Sequence, residues 1–502
     1  MAYPNNKDGE VALEEAGLDE YLEMEGGRHQ IEMQGLLDAI TTQEVQECQA
    51  EKGELENIMK IQSRTGVIYA TTRARQFGFK GAGDPEWGNL GQGAPETSAI
   101  PNQPDRSNLK VVLDPESNEY ADCNGDAGFR QAVADYYNHW FRQGKTSKYT
   151  YQNVAVTSGG RSGLCRLMAS LSNVNIGYFL PDYTAYTQLL GAFSSVSPFP
   201  VEHDQGVTTT AAHLRKQVRH AGLGAFLLSN PTNPSGNIVE GEALNEWVKV
   251  AREESCLFLM DEFYSHYMYE PQLPGDKRPF HTFSSAEFVE DVNTDPICII
   301  NGLTKNWRCP GWRVCWVVGP KHCIDALSAV GSFLDGGAPH PLQVAAIPLL
   351  APDFVKEDAL ALQAHFRQKR DFMLKELAEL GIKVRKPEAT FYIWADVSDL
   401  PLPLNNGVVF FEHCIRHKVI AVPGIFFDIN PFNRRRFNKS PYLNHLRMSY
   451  GPAWPNLKQA VSGMKELVAL ARGGQLPPLE KPRKERLKTA RTFEMQRSGQ
   501  SG

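Results

Sequence analysis

Lys305 and Arg313 stand eight residues apart in NGLTKNWRCPGWR (301–313), between two apolar runs, ICII (297–300) and VCWVV (314–318). A charge at the inner end of a buried strand is costly unless it is paired or neutralised. Burial pushes a lysine toward its neutral amine, the form that acts as nucleophile or base. Other chemistry-bearing residues end further apolar runs. Asp261 and Tyr264 belong to DEFY, directly after CLFLM (256–260); a carboxylate buried there calls for a cationic partner. Ser158, Gly159, Gly160 and Arg161 open SGGRSG after NVAVTS (153–158). Paired glycines let the backbone approach a ligand, and a helix N-terminus favours an anion. NPTNPSG (230–236) has two Asn-Pro steps, a stiff loop able to aim the Asn233 amide.

One ligand answers the whole set. Its phosphate would be bound by Gly159, Gly160, Arg161 and Arg313. Its protonated ring nitrogen would pair with Asp261, its phenolic oxygen would meet Asn233 and Tyr264, and its aldehyde would be linked to Lys305. That ligand is pyridoxal 5'-phosphate, whose ring acts as an electron sink for a carbanion at the substrate Cα.

These residues need a scaffold that gathers strand ends. Apolar runs recur at NVAVTS, IGYFL (176–180), VSPFPV (196–201), AFLLS (225–229), CLFLM, ICII and VCWVV, with helical patterns such as SGLCRLMASLS and GEALNEWVKVAREES between most of them. The pattern predicts an α/β domain with a seven-stranded, mostly parallel sheet covered by helices on both faces. Ligands of such sheets bind at the carboxyl ends of the strands. Between Thr304 and Val314 there is no room for a parallel crossover, so the seventh strand should run antiparallel to the sixth. After Lys321 the pattern turns helix-rich, with short strands at IKVRK and TFYIWADV and a helix at NNGVVFFEHCIRHK, a smaller α+β domain. The expected division is an acidic extension over 1–60, a small-domain segment over 61–110, a cofactor-binding large domain over 111–325, a small domain over 326–470 and a basic tail over 471–502.

The ordered motifs resemble the class I/II aminotransferases of the aspartate aminotransferase superfamily, the fold-type I pyridoxal phosphate enzymes, over roughly residues 60 to 470. LTKNWRCPGWR is similar to the family's lysine with the arginine of GWR eight residues on, and Thr304 precedes the lysine. The resemblance implies more site residues. Gly93 in NLGQGAPE would approach the substrate carboxylate, and Arg447 in HLRMSYG would fork it. Tyr183 in PDYTAY would lie over the cofactor ring, assisting Lys305 and Asp261 in catalysis. Tyr120 in YADCNGDAGFR would reach a phosphate in the neighbouring subunit, which implies a homodimer. The implied reaction moves an amino group from an amino acid to a 2-oxo acid, with Lys305 as the base at Cα. The same Cα–H cleavage also serves elimination, replacement or carbon–carbon bond formation, for example on S-adenosylmethionine, and that alternative stays open at this stage. Three departures stand out: Ala389-Thr390 where the family has glycine–alanine, Arg161, bulkier than most residues at its phosphate-cup position, and Arg308, a further cation near Lys305.

Composition narrows the class. Net charge is −6, which offers no global basic field for nucleic acid, and the nine scattered cysteines include no CxxC pair. The N-terminus lacks a basic region followed by an apolar run, and no apolar stretch reaches eighteen residues, so a cytoplasmic protein away from membranes is expected. Residues 1–60 carry fifteen Asp and Glu against four Lys and Arg, with weak helical periodicity in QGLLDAITTQEVQECQAEKGELENIMKIQ. His413 and His417 share a helical spacing but have no third ligand, so they read as surface histidines and no metal is expected.

Overall fold

Each of the seven apolar runs forms a strand, and their ends decide where the chemistry sits. In the computed structural model, which describes residues 65–204 and 208–479, these strands are β1 (Val154–Thr157), β2 (Val174–Phe179), β3 (Val196–Val201), β4 (Leu223–Ser229), β5 (Leu257–Asp261), β6 (Ile297–Gly302) and β7 (Cys315–Val318). They make one sheet in the order β1-β7-β6-β5-β4-β2-β3. β7 runs antiparallel to both β6 and β1, and the remaining pairs are parallel. The register is what matters for the site. Ser229 lies abreast of Asp261, while Thr157 and Gly302 flank Cys315 from either side. The loops after β1, β4, β5 and β6 therefore open at one edge of the sheet.

The helices are α1 (Gly66–Arg75), α2 (Ala127–Phe141), α3 (Gly160–Ser170), α4 (Tyr186–Ala192), α5 (Ala211–His220), α6 (Gly241–Glu253), α7 (Lys321–Leu334), α8 (His340–Ala346), α9 (Pro352–Glu379), α10 (Gly407–Arg416) and α11 (Trp454–Arg472). Their packing follows sequence spacing. In α6, Leu244, Trp247, Val248 and Ala251 fall on one helical stripe and are buried. The Asp126 side chain accepts from the Phe129 amide at 2.7 Å and caps α2.

A second sheet has four strands, β8 (Lys383–Val384), β9 (Tyr392–Asp396), β10 (Val422–Pro423) and β11 (His445–Ser449), in the order β10-β11-β9-β8. Sequence reading found the strands of IKVRK and TFYIWADV but not β10 or β11. Arg447 sits in β11 between Trp394 and Val422, which explains how an arginine is buried at a sheet centre. Ile61–Ala471 form one compact unit that contains both sheets. The acidic extension and the basic stretch from 480 onward lie outside the described residues. His413 is not a surface residue as expected: it is 2% exposed, and burial lowers its pKa to about 4. Among the described residues no helix is long and apolar enough to cross a membrane.

Candidate active site

Lys305 follows β6 in a turn and extends its amine to the backbone oxygen of Gly93. Burial, then the nearby Arg447 and Arg161 charges, lowers its pKa from 10.5 to about 7, with Asp261 pulling the other way. The amine is therefore poised to be neutral near physiological pH. Thr304 shares a contact of 3.1 Å with the Cys315 thiol, tying the lysine loop to β7.

Asp261 ends β5 and is buried. Within the chain the Tyr186 hydroxyl donates to its Oδ2 at 2.7 Å. Burial raises the carboxyl to about 6, against the Tyr186 bond, the Phe263 amide and the Lys305 charge, which all lower it. Asp182, also buried, follows β2, two strands from Asp261 with β4 between. Its Oδ1 accepts from the Ser229 hydroxyl at 2.5 Å and the Tyr183 amide at 2.6 Å, and burial raises its pKa to about 8. Ser229 Oγ in turn accepts from the Asn233 amide at 3.2 Å.

The glycine turn after β1 meets Arg313. Gly159 has φ 92, a left-handed conformation, and a Cβ there would land inside the Arg313 guanidinium. At Gly160 a Cβ would come within 2.5 Å of the Phe263 ring. Arg313 donates to Ser158 O at 3.4 Å and to Pro310 O at 3.0 Å. Ser158 Oγ donates to Gly337 O at 3.0 Å, and Arg161 donates from Nε and Nη2 to the Tyr183 hydroxyl at 3.1 and 3.0 Å.

Arg447 approaches from the second sheet. It donates to Asn233 Oδ1 at 3.3 Å and Gly91 O at 2.9 Å, and its guanidinium lies 4.3 Å from the Tyr392 ring centre. Its buried Nε has no partner. Tyr264 and Tyr392 share a hydroxyl–hydroxyl bond of 3.1 Å. Thus Gly93, Ser158, Gly159, Gly160, Arg161, Tyr183, Asn233, Asp261, Tyr264, Thr304, Lys305, Arg313 and Arg447 converge. Tyr120 does not join them within one chain; it is 92% exposed.

Three contributors went unread in the sequence. Tyr186 stands three residues after Tyr183 in PDYTAY, but nothing in the sequence names Asp261 as its partner. Asp182 stands directly before Tyr183 in the same motif, and Tyr392 carries no motif. The Ala389-Thr390 departure acts on this same wall. Thr390 is buried at φ 68, an unusual backbone for a β-branched residue. It is held there because its carbonyl accepts from Tyr269 at 2.5 Å and Tyr450 at 3.1 Å, and its Oγ1 accepts from the Tyr392 amide at 3.1 Å.

The fold and site define a class: an α/β protein with a neutral-leaning lysine, a buried carboxyl and an arginine-lined glycine turn at one sheet edge. The chain belongs to the aminotransferase class I and II family, whose profile matches residues 85–457. It is 27% identical over 347 residues to a putative aminotransferase AatC of Rhizobium meliloti, covering 68% of this chain and 80% of that one. Against an aspartate/prephenate aminotransferase of Thermus thermophilus it is 24% identical over 362 residues, 70% of this chain and 84% of the other. An LL-diaminopimelate aminotransferase of Moorella thermoacetica is 27% identical over 339 residues, 64% and 80% of the two chains. Among solved structures, the aspartate aminotransferase of Thermus thermophilus with maleate matches the fold with a TM-score of 0.66 at 21% identity, over 81% of this chain and all of that one.

Proposed function

We propose that the chain is a pyridoxal 5'-phosphate-dependent aminotransferase in which Lys305 carries the cofactor and moves the Cα proton. The observation that carries this reading is the buried Lys305 amine just beyond the end of β6, set against Gly93 O, with its pKa lowered to about 7 by burial and then by Arg447 and Arg161. Membership of the family favours transamination over elimination or carbon–carbon bond formation.

The site chemistry fits the cofactor. The Gly159–Gly160 turn is kept free of Cβ atoms against Arg313 and Phe263, as a phosphate cradle requires. Ser158, Arg161 and Arg313 supply donors and charge there. Asp261 offers a buried acceptor for a ring nitrogen. Asn233 and Tyr264 would hold the cofactor's phenolic oxygen, and Tyr183, bonded to Arg161, would cover its ring. When bound, the cofactor supplies an electron sink for the carbanion at Cα.

The chain's own groups do the rest. Arg447, fully buried with a free Nε, binds a substrate carboxylate together with the Gly93 loop. Lys305, with a substantial neutral fraction near pH 7, takes the Cα proton, a general-base step worth about 10²–10⁴-fold. Tyr186 holds Asp261 in place and favours its charged form. In this reading the large sheet with residues 111–325 is the cofactor-binding domain, 61–110 and 326–470 close over it, and the setting is cytoplasmic.

A homodimer completes the site. Val112, Leu113, Phe333, Leu334 and Val344 are exposed apolar residues of the Tyr120 segment, α7 and α8. The two regions touch: Glu119 O contacts His340 Nδ1 at 3.1 Å, and Gly337, bonded to Ser158, lies beside Cys123. Tyr120 thus stands on a surface that rims the glycine turn, where a partner's copy reaches the phosphate.

The test is to add single amino acids, including aspartate, glutamate and diaminopimelate, to the cofactor-loaded enzyme without an oxo acid. One equivalent of the matching 2-oxo acid per site, absent in Lys305→Ala, is expected. Release of ammonia or a changed carbon skeleton in its place overturns the transamination reading.

A further inference from the structure

The segment from Gly91 to Asp105 passes the Lys305 amine without forming a helix or strand, so side chains from elsewhere must set its path. Three cations do so. Lys369 of α9, fully buried, bonds the Glu96 carboxylate, which His365 also meets at 2.6 Å. Burial works against Glu96, yet these two bonds take its pKa down to about 2. Arg106 reaches Trp307 O at 2.8 Å and Asp358 at 2.8 and 2.9 Å. Arg308 donates to Ser98 O at 2.7 Å, to Glu96 O at 3.3 Å and to the Gln103 carboxamide. The two arginines cross. Arg308 leaves the lysine loop for the segment, and Arg106 leaves the end of the segment for the lysine loop.

Arg308 does not point its charge at Lys305, where the sequence suggested a further cation. It is coupled to that residue through the backbone, since its amide donates to Lys305 O at 3.0 Å. It also adopts φ 56, a left-handed conformation that suits glycine and strains arginine. The strain is tolerated with the whole guanidinium turned inward, 3% exposed. Backbone preference alone would place glycine here, so the side chain must supply the gain.

We infer that Arg308 is a positioning residue for amino transfer. It clasps Glu96–Gln103 to the lysine loop and so holds the Gly93 carbonyl against the Lys305 amine, beside the Gly91 carbonyl that accepts from Arg447 at 2.9 Å. The clasp fixes the end of the pocket that receives the substrate carboxylate. This rests on the roles given to Gly93 and Arg447 above.

The test uses full-length, cofactor-loaded Arg308→Gly and Arg308→Lys. Glycine relieves the backbone but gives up the bonds to Ser98 O, Glu96 O and Gln103, so the melting temperature of Arg308→Gly should fall by only a few degrees. Amide exchange across 91–105 should accelerate by roughly tenfold or more while β5 and β6 stay protected. KM for the best amino donor should rise roughly tenfold with a much smaller change in kcat, the sign of lost uniform binding. Arg308→Lys keeps the charge without the fork and should fall between glycine and wild type. Unchanged exchange over 91–105, exchange lost equally across the sheet, or a loosened segment with unaltered KM overturns the inference. If wild type releases no oxo acid from any donor, the functional reading fails, and the exchange data still decide whether Arg308 is a clasp.

Discussion

At the scale of single residues, Lys305 is the group most at odds with its surroundings, and its proton carries a stability signature. In cofactor-free protein its folded pKa of about 7 lies below the 10.5 of an ordinary lysine. Between those values the unfolded chain holds a proton that the folded chain lacks, so the Lys305 contribution to stability rises with pH across that window and is least favourable below it. Lys305→Met removes the penalty. The cofactor-free variant should melt a few degrees above wild type at pH 6, and the gap should shrink as pH rises past 7 toward 10. Asp261 acts at lower pH, where its penalty grows between 3.8 and about 6. Asp182 titrates in both proteins and cancels in the difference. Scanning calorimetry at stepped pH checks this, and a gap independent of pH would show that the Lys305 amine is not destabilised by burial.

At the scale of elements, the glycine turn between β1 and α3 shows how a backbone conformation makes a site. Gly159 uses φ 92 to leave its Cβ position to the Arg313 guanidinium. Gly159→Ala should strain the turn, costing about 1 kcal/mol or more, and displace Arg313 from the cradle. Cofactor retention after dialysis, read by absorbance, should fall roughly tenfold or more. Retention equal to wild type would remove the cradle role from this turn. The same elements show what a sequence reveals. The seven strands were legible because buried strands are continuous apolar runs, and the reversal of β7 followed from a connection too short to cross over. Lys305, Asp261 and Arg313 were legible because charges at the ends of such runs need an explanation. Tyr186, Tyr392 and Asp182 were not, since an aromatic or polar residue near a strand end is ordinary until tertiary packing assigns its partner. Thr390 was noticed as a departure, but its left-handed backbone is imposed by bonds from Tyr269, Tyr392 and Tyr450 that only the fold assembles. Arg308 was read as a charge beside Lys305 because spacing along the chain says nothing about which way a guanidinium turns.

At the scale of the whole molecule, Tyr120 stands 92% exposed and away from the one-chain site, and Leu113 at 72% and Phe333 at 75% are exposed as well. Exposed apolar residues of this kind are what the proposed twofold interface would cover. Leu113→Asp with Phe333→Asp should shift the protein from dimer to monomer by light scattering, with loss of activity. A sharper test separates sharing of the site from mere association. In the proposed dimer each site would take Lys305 from one subunit and Tyr120 from the other. Co-expressed Lys305→Ala and Tyr120→Ala chains then form mixed dimers with one site intact and one carrying both substitutions. Random pairing makes half of the dimers mixed, so the preparation should recover about a quarter of wild-type activity. Neither parent alone should reach that level, because one lacks its base and the other a phosphate contact. Activity equal to the mean of the two parents would mean that Tyr120 serves no neighbouring site, and the exposed apolar surface would then need a different occupant.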